Sequence, residues 1–245
     1  MTDDALADLR GQTVLVTGAS SGIGAATAER VGAAGATVVL AARREERLAG
    51  VVERVEAAGG QAHAVPTDVR DADAVDALVE TAVERTGRLD AAVVNAGVGE
   101  VRDAPLADVD FETVTRTNVD GAFHTVRAAL PALRESGGQA VLVGSYLGSH
   151  PSAATPVYAA SKWWLRGFAR SLAARYGEAV GVSVVSPAAV RSEFGHGTRD
   201  RTNVERYDEG EALSPAQVAA SVVFCLRQTP PATVAELDLY RRESI

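Results

Sequence analysis

Short β-branched runs alternate with longer alanine-rich segments along most of the chain, and this alternation constrains the fold more than any other feature. A short apolar run bounded by turn residues reads as a buried strand, whereas apolar spacing at i, i+3 and i+4 reads as a helix. Seven strand-like runs are present, at residues 13–17, 37–41, 62–66, 91–94, 140–144, 182–186 and 235–239. Helical patterns follow each of the first six. The clearest cover 22–34, 45–58, 72–86 and 156–176; another starts near 108, and the last, 214–228, opens with Ser214-Pro215 as cap and first-turn residue. Strands alternating with helices imply repeated βαβ units with right-handed crossovers. The predicted fold is one doubly wound α/β domain over residues 1–245, a seven-stranded parallel sheet with helices on both faces. Its ligands are expected at the carboxyl ends of the strands. No Pro/Ser-rich linker or low-complexity stretch divides the chain.

The segment 191–213 breaks the alternation. It is rich in charge, contains Gly195 and Gly197, and separates the sixth strand from its helix. A connection of that length is either a solvated excursion or a lid, and its emergence on the ligand edge favours a lid or substrate loop.

The first strand runs directly into Gly18-Ala19-Ser20-Ser21-Gly22-Ile23-Gly24 and then a helix. Glycines let backbone approach a pyrophosphate, whose charge is stabilised by free N–H groups and the helix dipole. The strand before and the helix after lift the string above a tight turn and indicate a dinucleotide site. About 20 residues on, an acidic side chain takes the ribose 2′-hydroxyl of NAD, whereas an arginine accommodates the 2′-phosphate of NADP. Here Ala42 stands at that place, followed by Arg43 and Arg44. Either the two arginines are surface helix-start residues, or Arg43, assisted by Arg44, holds a phosphate through charge-assisted contacts. The second reading makes NADP(H) the expected cofactor.

Of the 24 basic residues only one is lysine, Lys162, and it lies four positions after Tyr158 in Pro-Val-Tyr-Ala-Ala-Ser-Lys. That spacing sets both side chains on one helix face. A phenol with a pKa of about 10 is a poor base near neutrality, and a nearby ammonium stabilises the phenolate. The pair suits proton transfer to or from a substrate oxygen.

Thr17-Gly18-x-x-x-Gly22-x-Gly24, Asp68, Asn95-Ala96-Gly97, Asn118, Ser145, Tyr158-x-x-x-Lys162 and Pro187 together resemble the motifs of the short-chain dehydrogenase/reductase family, in order and spacing. The resemblance spans residues 17 to 192 and implies a Rossmann-type fold and a hydride-transferring enzyme acting on a carbonyl/alcohol pair. It implies that Tyr158 is the general acid/base and Lys162 its electrostatic partner and ribose ligand. Ser145 would polarise the substrate oxygen, and Asn118 would hold a relay water. Asp68, with Val69 beside it, corresponds to the adenine contact, and Asn95, Ala96 and Gly97 to the adenosine ribose. Pro187, Ala188, Val190 and Ser192 correspond to the nicotinamide loop. Two departures stand out. Val94 replaces the first asparagine of Asn-Asn-Ala-Gly, which removes a structural hydrogen bond, and Ala188 adds a methyl where glycine is usual. The C-terminus lacks the Gly-Gly ending of many acyl-carrier-protein ketoreductases and resembles members acting on small secondary alcohols or 3-hydroxy acids. A ketoacyl-type reductase, or a non-catalytic NADP-binding regulator that keeps the fold, are the alternatives. The resemblance also implies a homo-oligomer, a dimer or tetramer.

Composition excludes other classes. A net charge of −8 argues against nucleic acid and anionic membrane partners. The acidic N-terminal stretch has no signal-like apolar segment, no run is long enough to span a bilayer, and one cysteine forms no internal disulfide, which fits a cytoplasmic protein. The four histidines lack metal-ligand spacing, so no metal is expected; His150, between Ser145 and Tyr158, is the one candidate to face substrate. Cys225 reads as helix core. Trp163 and Trp164 point in different directions on one helix, which leaves room for one to pack under the site and the other against a partner subunit.

Overall fold

A computed structural model describes residues 9–197 and 201–242. The acidic N-terminal stretch up to residue 8, residues 198–200 of the long connection, and the last three residues lie outside the described set. Seven strands, β1 (Thr13–Thr17), β2 (Thr37–Ala42), β3 (Gln61–Pro66), β4 (Ala91–Val94), β5 (Gln139–Val143), β6 (Gly181–Pro187) and β7 (Glu236–Leu239), form one sheet in the order β3-β2-β1-β4-β5-β6-β7. Every neighbouring pair is parallel. The sequence-based strands agree to within one residue at each end.

Eight α-helices lie among the described residues: α1 (Gly22–Ala33), α2 (Glu45–Ala57), α3 (Ala72–Thr86), α4 (Phe111–Thr115), α5 (Gly121–Ser136), α6 (Pro156–Tyr176), α7 (Asn203–Arg206) and α8 (Pro215–Leu226). The helix expected from 108 begins as a 3₁₀ turn, Leu106–Asp108, then α4, and passes through a π-turn, Arg116–Asp120, into α5. Central strands such as β1 and β4 are buried throughout, as two covered faces require. One core joins the sheet to α1, α2 and α8; the other joins it to α3, α5 and α6. Each fully buried Val or Leu contributes roughly 1.5–3 kcal/mol relative to exposure.

The strand order reverses between β1 and β4, and the crevice outside their carboxyl ends is the switch point where such sheets bind ligands. Thr17 and Asn95 close it. The Thr17 hydroxyl accepts the N–H groups of Asn95 and Ala96, while Asn95 Nδ2 donates to the Thr17 carbonyl at 2.9 Å. Val94, at the place of the first asparagine of Asn-Asn-Ala-Gly, lies in the α3/α5/α6 core among apolar neighbours, so its own position needs no polar partner.

The described parts of the connection 191–213 are held by specific contacts. Its base is closed by a parallel bridge between Val190 and Leu213. Inside, Asn203 Nδ2 donates to the Val190 carbonyl and Val204 N–H to the Ser192 carbonyl. Thr202 caps α7 with Glu205 in a reciprocal capping box.

Candidate active site

A cavity of about 650 Å³ opens at the switch point, within the range of small-molecule and cofactor sites. Its lining includes Gly18, Ser20, Ser21, Gly22 and Ile23 of the glycine-rich turn. Gly18 and Gly22 have φ of +66° and +55°, where L side chains are strained. Gly24 does not line the cavity; a Cβ on it would fall 2.3 Å from the Gly18 carbonyl, so its role is to let α1 start against the turn. Ser21, the N-cap of α1, makes no side-chain cap bond, leaving first-turn N–H groups available to an anion.

Both arginines after β2 line the cavity. Arg44 is more central than the sequence suggests. Its Nη2 donates to Ser20 Oγ at 2.9 Å and Ser21 Oγ at 3.2 Å, which binds the end of β2 to the phosphate turn. Burial lowers the Arg44 pKa, and neighbouring Arg47 and Arg43 lower it further. Asp68 and Val69 line the same end. The Asp68 carboxylate is gripped by Arg70, whose Nη2 lies 2.5 Å away, and this hydrogen bond holds it below the ordinary carboxylate range.

Opposite stand the polar groups of β5 and α6. Ser145, Tyr158 and Lys162 all line the cavity. Ser145 follows β5, and its Oγ accepts the Leu147 N–H at 3.2 Å, leaving its own hydrogen to donate elsewhere. Lys162 is only 6% exposed. Its Nζ donates to the Val143 carbonyl at 2.9 Å and lies 5.9 Å from the Tyr158 ring centroid. Burial lowers its pKa to about 8. Tyr158, Lys162, Arg166 and Arg170 recur every four residues along α6 and share one stripe. The last two pair with Glu236 of β7, which anchors the helix to the sheet edge.

Asn118 falls inside the π-turn, buried, and does not line the cavity; Thr117 does. Its Oδ1 accepts the Val98 N–H at 2.8 Å, and its Nδ2 donates to the Val98 carbonyl and Ser161 Oγ. The side chain therefore ties the loop after β4 to α6. Gly97 fills the gap between these groups: a Cβ there would stand 3.3 Å from Asn118 Oδ1 and 3.7 Å from Lys162 Nζ. Asn95, Ala96, Gly97, Pro187, Ala188, Val190 and Ser192 all line the cavity.

Two expectations are corrected. His150 does not line the cavity: it stacks on Tyr146 at 3.8 Å between ring centroids, and it is Tyr146 and His196 that line it. Neither tryptophan lies under the site. Trp163 and Trp164 are 50% and 37% exposed, and Trp164 stacks on Phe168. The sequence reading also missed Glu100. This buried carboxylate accepts the Tyr158 backbone N–H at 2.7 Å, serving as a cap from another loop where Thr155, the N-cap of α6, makes no side-chain cap bond. Anionic charge at a helix N-terminus is favourable. No local pattern links residues 58 positions apart in this way. Among the described residues no cluster of His, Cys, Asp or Glu is able to hold a metal.

Comparison with known proteins agrees with this arrangement. The family model described as short chain dehydrogenase matches residues 12–203. An A-factor type gamma-butyrolactone 1'-reductase of Streptomyces virginiae is 42% identical over 194 residues, covering 76% of this chain and 74% of the relative. A metagenomic short-chain oxidoreductase solved with NADP superposes with a TM-score of 0.81 at 31% identity, covering 96% and 99% of the two chains. A 3-ketoacyl-(acyl-carrier-protein) reductase of Brucella melitensis solved with NADH gives 0.85 at 28% identity, covering 97% and 100%. The chain belongs to the short-chain dehydrogenase family of oxidoreductases, and its sheet and helices are the Rossmann-type fold of that family. No helix among the described residues is long and apolar enough to cross a membrane.

Proposed function

We propose that the protein is an NADP(H)-dependent oxidoreductase that interconverts an alcohol and the corresponding ketone or aldehyde. The observation that carries this reading is the buried Lys162 ammonium beside Tyr158, with the Ser145 hydroxyl in the same cavity. A nicotinamide dinucleotide, when bound, supplies the hydride or accepts it in the reverse direction. The first-turn N–H groups of α1 suit its pyrophosphate. Tyr158 transfers the proton at the substrate oxygen. Lys162 favours the phenolate form by charge, and Ser145 donates to the oxygen as charge develops there. The Asn118 amide is committed to Val98 and Ser161, so in this reading it positions the loop after β4 against α6.

The preference for NADP(H) rests on Arg44 and Arg43. Burial, Arg47 and Arg43 all disfavour the Arg44 cation, and Glu193, paired with Arg47, offsets only part of this; a 2′-phosphate would add a charge-assisted partner for Arg44 and Arg43. Small secondary alcohols or 3-hydroxy acids are the favoured substrates, and a ketoacyl-type reductase uses the same proton machinery. Phe123 of α5 and Trp164 of α6, both exposed, pack on Phe168 between them, an aromatic patch that supports self-association through a second copy. The lone buried thiol of Cys225 fits a cytoplasmic location.

The test is a panel of ketones and aldehydes followed by NADPH absorbance. Reduction of at least one member is expected. Tight NADPH binding with no turnover across the panel contradicts the enzymatic reading and favours a binding protein.

A further inference from the structure

Three consecutive residues of the 191–213 connection reach three different parts of the molecule. Ser192 sits against the glycine-rich turn: a Cβ on Gly22 would stand 3.3 Å from the Ser192 Cβ. Glu193 pairs with Arg47 of α2, 146 residues away in sequence. Phe194 lies against Tyr158, with 5.6 Å between ring centroids and 56° between ring planes, inside the range in which aromatic pairs attract. Ser192, Glu193 and Phe194 all line the cavity. They form a short strap that runs from the phosphate turn to Tyr158.

The backbone of the strap is fixed by its own hydrogen bonds. The Glu193 carbonyl accepts the His196 N–H at 3.0 Å, which closes a four-residue turn. Gly195 fills the third place of that turn with φ of +101°, a conformation that L side chains resist. Phe194, at the second place, gives its N–H to Ser192 Oγ at 3.3 Å, and its carbonyl accepts the Asn203 N–H at 3.2 Å. The residue is only partly buried, so apolar surface remains on the cavity wall for a ligand to cover. The anchor at Glu193 is of another kind. The side chains of Arg47 and Glu193 are 42% and 44% exposed, and an ion pair in that setting adds little to global stability. Its effect is local, because it joins α2 to the residue next to Phe194.

We propose that Phe194 is a specificity-determining residue that selects carbonyl compounds bearing an aromatic or alicyclic group on the carbonyl carbon. Glu193 is a positioning residue that holds Phe194 against Tyr158 through Arg47. The inference rests on the carbonyl-reductase reading and narrows it to the secondary-alcohol branch. A substrate oxygen that exchanges its proton with Tyr158 brings the groups on its carbon towards the neighbouring Phe194 ring. An apolar ring placed there gains by leaving water. A polar chain loses water there and finds no hydrogen-bond partner in the phenyl group.

The full-length protein is assayed at saturating NADPH on acetophenone and cyclohexyl methyl ketone, against a methyl ketone of similar size whose chain ends in a hydroxyl. kcat/KM for the ring compounds is expected to exceed that for the hydroxyl-ended one roughly tenfold. In Phe194→Ala this ratio falls towards one, and in Phe194→Leu, which keeps an apolar side chain, it falls much less. The thermal midpoint and NADPH affinity report that both variants are folded. Glu193→Gln lowers the ratio about threefold with an unchanged thermal midpoint, a split that a merely structural role does not give. Arg47→Gln/Glu193→Gln matches Glu193→Gln, because the pair is lost only once, and rising salt lowers the ratio in the parent protein but not in Glu193→Gln. A ratio near one in the parent, or one unmoved by Phe194→Ala, overturns the selecting role while leaving carbonyl reduction intact. A ratio that responds to Phe194→Ala but not to Glu193→Gln overturns the anchoring role. Calorimetric binding of benzamide, which is not reduced, to the NADP-loaded protein supplies a readout without turnover. Benzamide bound by the parent and lost in Phe194→Ala, with no ketone reduced, sinks the enzymatic reading and keeps the apolar site; absence of both binding and reduction overturns the two together.

Discussion

One end of the cavity is lined chiefly by Gly18, Ser20, Ser21, Gly22 and Ile23 of the glycine-rich turn and the start of α1 and by Ala42, Arg43 and Arg44 at the end of β2, with Asp68 and Val69 beside them. At its substrate end it is walled by the 191–213 connection, the loop after β4 and the residues after β7. The first wall is local: a strand, a turn and a helix N-terminus place N–H groups and arginines with little help from elsewhere. The second is assembled from segments far apart in sequence, pinned by single contacts such as Arg191 to the Tyr207 carbonyl. In the proposed function, cofactor binding and proton transfer draw on the local wall and α6, and substrate choice on the assembled one.

The largest expected effect breaks the catalytic centre between the two ends. Lys162→Met removes the ammonium, and kcat/KM falls on the order of 10²–10⁴-fold, while thermal denaturation shows a gain of roughly 1–3 kcal/mol from deleting a buried charge. The pH dependence follows. The folded-state pKa of Lys162, about 8, is depressed from 10.5 by burial. The folded protein therefore binds fewer protons than the unfolded chain between these values, so this group's contribution to stability rises with pH through that window. The ammonium itself is lost above about pH 8, and kcat/KM for the free enzyme declines there.

Arg44→Ala sharpens the contrast at the adenosine end. NADPH affinity measured by fluorescence titration drops roughly 10- to 100-fold, and NADH affinity changes far less. Equal losses for both would mean that Arg44 only ties the turn to β2. Glu100→Ala tests the substrate-side loop. Removing the carboxylate from the Tyr158 N–H costs about 1.5–3 kcal/mol in chemical denaturation, and Glu100→Gln, which keeps an acceptor, recovers most of it. The smallest effect is at the hinge between the two ends. Gly97→Ala sets a methyl 3.3 Å from Asn118 Oδ1, and a modest rise in KM for NADPH with an unchanged fold is expected.

The same contrast explains what was legible. Strand and helix periods fixed every strand of the sheet, and the Tyr158/Lys162 pair was readable because both lie one turn apart on one helix. Arg44 was underrated, since its bonds to Ser20 and Ser21 cross from one βα unit to the next. Asn118 was recognisable as a motif residue, but the commitment of its amide to Val98 and Ser161 depends on tertiary contact. Glu100 and Phe194 carry no periodic signal at all. His150 looked close to substrate because it lies between Ser145 and Tyr158 in sequence, yet the 3₁₀ turn Tyr146–Gly148 turns it back onto Tyr146.

The most direct measurement compares the parent protein with Tyr158→Phe, using NADPH binding by fluorescence and turnover of a reducible carbonyl by absorbance. NADPH should bind both with similar affinity, while kcat in Tyr158→Phe falls at least 100-fold. Turnover that persists in Tyr158→Phe at the parent rate would contradict the assignment of proton transfer to Tyr158 and Lys162.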